Sequence, residues 1–263
     1  AYVMSEYQGK SDLVLQPNIT TRFILFNVTK APFNNDKVRR AISMALSRAE
    51  ICKTVGDDYE ASTQFIAKYM LSNLGTGKKF SDESGEMVTE DIAKAKSLLA
   101  EAGYPNGAGF PTVTYNYPNN EQDKLIAQAI QAQLKSALNI NVELNGMESQ
   151  VCVSERKSGN FDMTRHNWTA DYDDAMDYLL MWTSTSGLND AGIKDVDYDK
   201  LCEDATAELD ETKRNTIMHD AEKLLVTDKA YVAPLATNKT ICLLNPKYTG
   251  YSFDSAGQIL LKF

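Results

Sequence analysis

The sequence predicts an α/β fold. Three observations carry this expectation. Apolar runs with strand character alternate with segments of 3.6-residue helical period, a strand–helix–strand unit occupies residues 112–144, and no heptad, internal repeat or low-complexity tract breaks the alternation. At 263 residues the chain is long enough for one large or two modest domains with a proper core.

Residues 2–15 show no clear period, whereas residues 22–27 place large apolar side chains consecutively, as a buried strand does. Pro32, Asn34 and Asn35 then break the chain. Asp36 opens a helix with Val38, Ile42, Ala45, Leu46 and Ala49 as its core stripe and with Arg39 and Arg40 on its outer side. Residues 53–88 form a loop-rich excursion carrying Gly75, Gly77 and Gly85. Thr89 caps the next helix, where Glu90 and Asp91 suit the positive end of the dipole; Ile92, Ala95, Leu98, Leu99 and Ala102 line one face and Gly103 stops it. Pro105 and Pro111 enforce a loop before a strand over 112–117, which alternates and is β-branched or aromatic. Asn119 or Asn120 opens a helix that buries Leu125, Ile126, Ala129, Ile130, Leu134 and Leu138, and residues 140–144 form the strand after it. Such a βαβ unit predicts a right-handed parallel crossover. A short helix over 148–157 leads to a strand over 161–168. Helices follow near 175–182, 198–209 and 211–227, the last with Ile217, Ala221, Leu224 and Leu225 as its stripe. Strands over 230–235, 240–244 and 259–263 close the chain, and Pro234 puts the first of them at an edge or is its final residue.

Composition narrows the function. The chain is 43% hydrophobic and 24% charged, an ordinary globular mixture. Its net charge of -9 argues against nucleic acid or an anionic membrane as the main partner. No apolar run approaches the roughly 20 residues needed to span a bilayer. The opening residues Ala1 to Ser5 lack the basic and apolar regions of a signal peptide, so none is expected within this sequence. Cys52, Cys152, Cys202 and Cys242 are scattered beside apolar neighbours without a CxxC, so buried free thiols are expected, with disulfide pairing as the alternative.

The segment from Arg156 to Tyr172 is the most informative. Arg156 and Arg165 flank the start and body of a strand that ends in Trp168, with Asp171 just beyond. A strand end carrying cations, an indole and a carboxylate can hold an extended zwitterion by its backbone, its face and both termini, and a peptide has that shape. The plain alternative is that Arg156 is a solvated helix-end cation and Asp171 caps the next helix.

Catalytic signatures are lacking. The two histidines, His166 and His219, have no metal-ligand spacing, and no GxSxG occurs. Ser154 and Lys157 fit SxxK without its partner motifs, and the glycine turn at 73–78 lacks phosphate-loop spacing. Asp171, Asp173, Asp174 and Asp177 suggest calcium, but the sixth and twelfth loop positions hold Met176 and Trp182; Asp173 or Asp174 is better read as a helix cap. No metal or cofactor is expected.

Several stretches together are similar to a known family. Leu25 to Asn27 with Ala31 to Ile42, Ala95 to Tyr104, Gly159 to Asp162 with Trp168 to Tyr172, Tyr198 to Leu201 with Arg214 to Glu222, and Ala233 to Leu235 resemble, in order and spacing, the extracellular solute-binding proteins of family 5. These are the peptide receptors of oligopeptide and dipeptide ABC importers. The resemblance implies a periplasmic-binding-protein-like type II fold, with a mixed sheet flanked by helices. Members run to roughly twice this length as two lobes that close like a hinge. It therefore implies that residues 21–236 are the C-terminal, peptide-binding lobe, 1–20 an entry segment, and 237–263 strands returning to an N-terminal lobe outside this sequence. A lipoprotein signal would likewise lie outside it. The location implied is extracytoplasmic, at the cell surface or in the periplasm, and the partners implied are an oligopeptide and the membrane permease subunits.

Carried over residue by residue, the resemblance implies that Asp171 meets the peptide amine and that Arg165 and Arg156 meet its carboxylate. Trp168 would line a pocket, and the backbone of Asn167 and Thr169 would bond the extended ligand. Asp123 stands where some members have a histidine for the carboxylate, so repulsion is expected there. Ser149 replaces a pocket tryptophan, and Thr20 and Thr169 replace a disulfide pair. Relatives that take nickel complexes, haem, sugars or signalling peptides supply the alternative ligands; a hydrolase using Ser154 and Lys157 is the alternative activity.

Overall fold

Why the sheet is mixed follows from how its strands are joined. The computed structural model describes residues 6–7, 9–56, 59–72, 77–254 and 258–261. Ala1 to Ser5, Gly75 and the last two residues of the expected 259–263 strand lie outside them. In chain order the elements are β1 (Leu13–Phe26), α1 (Asp36–Ala45), α2 (Arg48–Lys53), β2 (Tyr59–Ala61), α3 (Phe80–Ser84), α4 (Ile92–Glu101), β3 (Val113–Pro118) and α5 (Glu121–Leu138). There follow β4 (Val142–Met147), α6 (Ser149–Lys157), β5 (Met163–Thr169), α7 (Met176–Leu179), α8 (Val196–Ala207), α9 (Glu211–Lys223), β6 (Val232–Leu243) and the hairpin β7 (Tyr251–Phe253) and β8 (Ile259–Leu261). The main sheet has the order β2-β6-β1-β5-β3-β4. The helical crossover makes β3 and β4 parallel, as expected, and β3 also runs parallel to β5; β1 is antiparallel to both β5 and β6.

Alternation along β1 sends its side chains into two separate cores. Ile24 and Phe26 face Val38, Ile42, Leu98, Leu99, Ile126, Ile130 and Leu134 beneath α1, α4 and α5. Phe23 and Leu25 face Phe65, Tyr178, Trp182, Tyr198 and Leu225. There Phe65 meets Phe23 and Tyr178 edge-on, with centroids 5.0 and 5.5 Å apart. A strand buried on both faces reads as the continuous apolar run seen in residues 22–27.

Several expectations are corrected. Arg39 is buried rather than outward, because unpaired carbonyls of Phe33, Lys229 and Ala230 take its guanidinium. Ala49 and Leu125 are exposed, since α1 ends at Ala45 and α5 turns Leu125 outward. The cap of α4 is Asp91, whose side chain accepts from the Lys94 amide at 2.9 Å; Thr89 lies before the helix. The strands expected at 230–235 and 240–244 are one strand, β6, flanked by β1 and β2. Pro234 is tolerated inside it because the register with β1 shifts there, between Arg22 and Phe23. The Pro234 carbonyl accepts from the buried Arg48 Nε at 2.9 Å. Thr20 and Thr169 stand opposite one another across β1 and β5, their hydroxyls 2.7 Å apart. All four cysteines are free thiols, three of them buried.

Toward one end, the face carrying Ile24 becomes polar. The Arg22 guanidinium is ion-paired with Asp123, and Arg165 Nε lies 3.3 Å from the same carboxylate oxygen. Asn120 holds the other oxygen at 2.7 Å, so one almost fully enclosed carboxylate serves two guanidiniums. Removing it leaves two cations without an anion. Asp123→Asn is expected to cost about 3–5 kcal/mol of unfolding free energy, measured by urea titration.

Glu222 is the other enclosed acid. Its Oε1 accepts from the Phe65 and Ile66 amides at 2.8 Å each, while Oε2 has no partner among the described residues. Burial pushes its carboxyl up to about 7, against the pull of the two amides. The folded protein thus holds a proton that the unfolded chain releases above the ordinary carboxylate range, and stability falls as pH rises from about 4.5 through about 7. Glu222→Gln keeps an acceptor for the amides and removes the charge. In urea titrations across that window, the variant is expected to lose the decline shown by the unaltered chain.

Candidate functional site

The site begins with a turn that aims β5. Asn27 donates from Nδ2 to the carbonyls of Gly159 and Phe161 at 3.0 and 3.1 Å, and its amide donates to the Asp162 carbonyl at 3.0 Å. Asp162 in turn accepts from the Thr114 amide at 2.9 Å, so the turn is tied to both neighbouring strands. From this anchor β5 runs antiparallel along β1, from Met163 opposite Phe26 to Thr169 opposite Thr20.

On its other side β5 is paired for only two residues, Met163 with Tyr115 and Thr164 with Asn116. The ladder alternation then decides which backbone groups are free. Thr20 gives its amide to the Asn18 side chain while Ala170 donates to the Ile19 carbonyl, which makes Thr20–Thr169 a non-hydrogen-bonded pair. The N–H and C=O groups of Asn167 and Thr169, and the C=O of Arg165, therefore point away from β1, toward an edge with no partner strand among the described residues, while the Arg165 N–H falls to Asn116 in the short parallel ladder with β3. The Asn167 amide is held there by the neighbouring His166 Nδ1 at 2.8 Å. Burial, then the charges of Arg156 and Arg165, keep that imidazole well below its ordinary pKa, so it stays a neutral acceptor.

Charges of opposite sign flank this edge. At its start, Arg165 is partly exposed, with one Nη donating to Asn167 Oδ1 at 2.5 Å and Nε beside Asp123. Two guanidiniums sharing one carboxylate leave one positive charge in excess, and Arg165 is the member nearer solvent. Asp123 is enclosed and paired, so it presents no open anion at this position, contrary to the expected repulsion. At the other end Asp171 is exposed, and its carboxylate has no hydrogen bond or ion pair among the described residues.

The run of acids after it is sorted by role. Asp173 accepts from the Leu71 amide at 3.1 Å. Asp174 accepts from the Met176 amide at 2.8 Å and binds Arg214 through both oxygens, which makes it the brace of α7. Asp177 accepts from Trp168 Nε1 at 2.8 Å and from the Asp171 amide at 3.1 Å. No group of three acids, histidines or cysteines converges as a metal site among the described residues.

Of the residues expected from sequence, Arg165, Asn167 and Thr169 share one face of β5, and Trp168 stands on the opposite face, packed against the second core. Arg156 is taken up in a half-buried ion pair with Asp190, 2.7 Å away, at the last turn of α6. Ser154 and Lys157 are exposed on α6. Sequence reasoning missed the parts played by Arg22, Asp123, His166 and Asp177. For Asp123 the available signal was Asn120 three residues earlier, a reciprocal cap that turns the carboxylate inward.

The family model for bacterial extracellular solute-binding proteins, family 5, matches residues 3–190. Among curated relatives, the dipeptide-binding protein DppE of Bacillus subtilis is 31% identical over 92% of this chain and 44% of its own length. The probable deoxycholate-binding periplasmic protein YgiS of Escherichia coli is 31% identical over 91% of this chain and 44% of its own length. The structure of the Escherichia coli murein tripeptide binding protein MppA superposes with a TM-score of 0.81 at 27% identity, covering 95% of this chain and 49% of that one. This chain spans about half the length of the curated relatives it matches. No helix among the described residues is long and apolar enough to cross a membrane. With an α/β sheet of this topology and a family match over most of its length, the chain belongs to the bacterial extracellular solute-binding proteins of family 5.

Proposed function

We propose that this chain is one lobe of a two-lobe peptide receptor, and that the ligand adds as an extra strand to the free edge of β5 at Arg165, Asn167 and Thr169. The observation that carries this is an edge without a partner strand among the described residues, bounded by an excess cation at one end and, at the other, by a carboxylate without a partner among them. Strand addition draws affinity from main-chain hydrogen bonds and specificity from the flanking groups. The ligand lies antiparallel to β5, its amine on Asp171 and its carboxylate toward Arg165. Arg156 is the weaker candidate for that carboxylate, because Asp190 already neutralises it. Trp168 borders a side-chain pocket on the other face of the strand.

Opposite charges at the two ends favour a zwitterion over a neutral sugar. The names of the relatives, dipeptide- and oligopeptide-binding proteins among them, point to the same ligand class. In this proposal the receptor works outside the cytoplasm and delivers peptide to the permease of an ATP-driven importer. Its second lobe joins through the end of the main sheet where only β1 and β6 continue, Leu13 to Pro17 pairing with Lys239 to Leu243.

A charge-assisted bond from Asp171 to a peptide amine contributes about 1.5–3 kcal/mol, so Asp171→Ala in the two-lobe receptor is expected to weaken peptide binding by about tenfold or more. Calorimetry with a short peptide checks this, and equal affinities would end the role given to Asp171. The lobe alone, lacking its opposite wall, is expected to bind the same peptide far more weakly. Submicromolar binding by this chain would overturn the two-lobe site.

A further inference from the structure

Asp177 is not among the residues proposed to meet ligand, yet it touches two of them at once. Its Oδ2 accepts from the indole N–H of Trp168 and from the backbone N–H of Asp171. One oxygen thus ties the last face-directed side chain of β5 to the residue that turns the chain off the strand. Neither donor is a cation, and no ion pair to Asp177 exists among the described residues. The element that presents it is firmly fixed. Asp174, two residues before Met176, is clamped by Arg214 through both oxygens, Tyr178 donates its hydroxyl to the Ile19 carbonyl, and Tyr198 donates its own to the Leu179 carbonyl at 2.7 Å. Asp177 therefore projects from a rigid base toward two groups at the margin of the core. Trp168 is half-exposed, with one part of its ring packed on the core, and Asp171 lies in a bend with no strand partner among the described residues.

We propose that Asp177 is the positioning residue of the site: it fixes the Trp168 ring and the Asp171 backbone together, so that pocket wall and amine acceptor are set before ligand arrives. A side chain held in its bound geometry loses less conformational freedom on association, which is how such a buckle raises affinity without touching ligand. The nearby phenol of Tyr172 is consistent with an acid-lined corner, being pushed up first by burial and then by Asp177 and Asp174. This proposal rests on the peptide-binding reading for its consequence, although its geometric content stands apart from it.

Asp177→Asn preserves a carbonyl oxygen that can accept both hydrogen bonds and removes the charge; Asp177→Ala removes both bonds. The two tryptophans give two indole N–H signals in a ¹⁵N-correlated spectrum of the chain, and Trp168→Phe identifies which is which. In Asp177→Ala the Trp168 signal is expected to move toward the solvent-exposed position, and in Asp177→Asn to stay near its original place. The signal of the enclosed Trp182 reports that the fold is intact. Should Asp177→Ala lose it, Asp177→Ser, too short to reach either donor, takes its place. In the two-lobe receptor, trialanine affinity by calorimetry is expected to fall about three- to tenfold in Asp177→Ala and to stay within about twofold in Asp177→Asn, the range set by one net hydrogen bond. A Trp168 signal unmoved in Asp177→Ala, or affinities lowered equally in both variants, would overturn the positioning role. If the unaltered receptor binds no trialanine while the indole signals behave as stated, the peptide reading fails and the positioning of Trp168 stands.

Discussion

The geometry of the site depends on one mismatch of strand lengths. β5 is matched to β1 over its full extent but to β3 over two residues only. The reason lies in β3: it ends at Pro118, which has no N–H to give, and Asn120 immediately caps α5. Beyond that point β5 keeps a neighbour on one side and, among the described residues, none on the other. A free edge is ordinarily a hazard, since it invites pairing with any extended chain. Here it is short, it carries the charge of Arg165, and His166 occupies the Asn167 amide. Those features limit indiscriminate pairing while leaving the carbonyls along the edge and the Thr169 amide open.

Electrostatics then gives the edge a direction. The Arg22–Asp123–Arg165 cluster is costly to enclose, because each charge surrenders its water. What it achieves is a guanidinium fixed at the first open position of β5, with Asn167 restraining it further. The opposite end is organised differently. Three of its four acids are committed to amides, an indole or Arg214, and that commitment holds the bend steady while Asp171 remains open. Directional recognition needs both ends held in this way, since a loose cation could follow the carboxylate of a chain lying in either direction.

Much of this was legible in the sequence where the signal is local. Apart from Ala49 and Leu125, the 3.6-residue stripes of α1, α5 and α9 follow from residues adjacent in the chain, as does a cap at Asn119 or Asn120, of which Asn120 is the one formed. So does the existence of β5. What escaped is information held between distant segments. Arg39 looks like an outward charge until the carbonyls of residues 229 and 230, nearly two hundred positions away, are placed beside it. Asp123 looks like a surface acid until Arg22 arrives across the sheet. Pro234 argues for an edge strand only while the register shift that accommodates it is unknown. Periodicity reports which face of an element is buried; it does not report which polar group on another element needs a partner there.

The span of about half a relative's length also has a physical reading in the proposed mechanism. Three ladder positions on an open edge offer only a few hydrogen bonds, each worth about 0.5–1.5 kcal/mol net when water competes for the same groups. Ordering the backbone of each ligand residue costs about 1–2 kcal/mol, so the ladder alone roughly cancels. Terminal charges facing open solvent add little, because an ion pair in water is screened and each partner keeps its hydration. The same groups gain strength only where water is excluded, which a single wall of side chains cannot do. A second wall closing over β5 would lower the local dielectric around Arg165 and Asp171 together, so that closure and binding become one event. In the proposed mechanism an edge as short as this one would be too weak to hold a peptide by itself, and so would depend on the closed state.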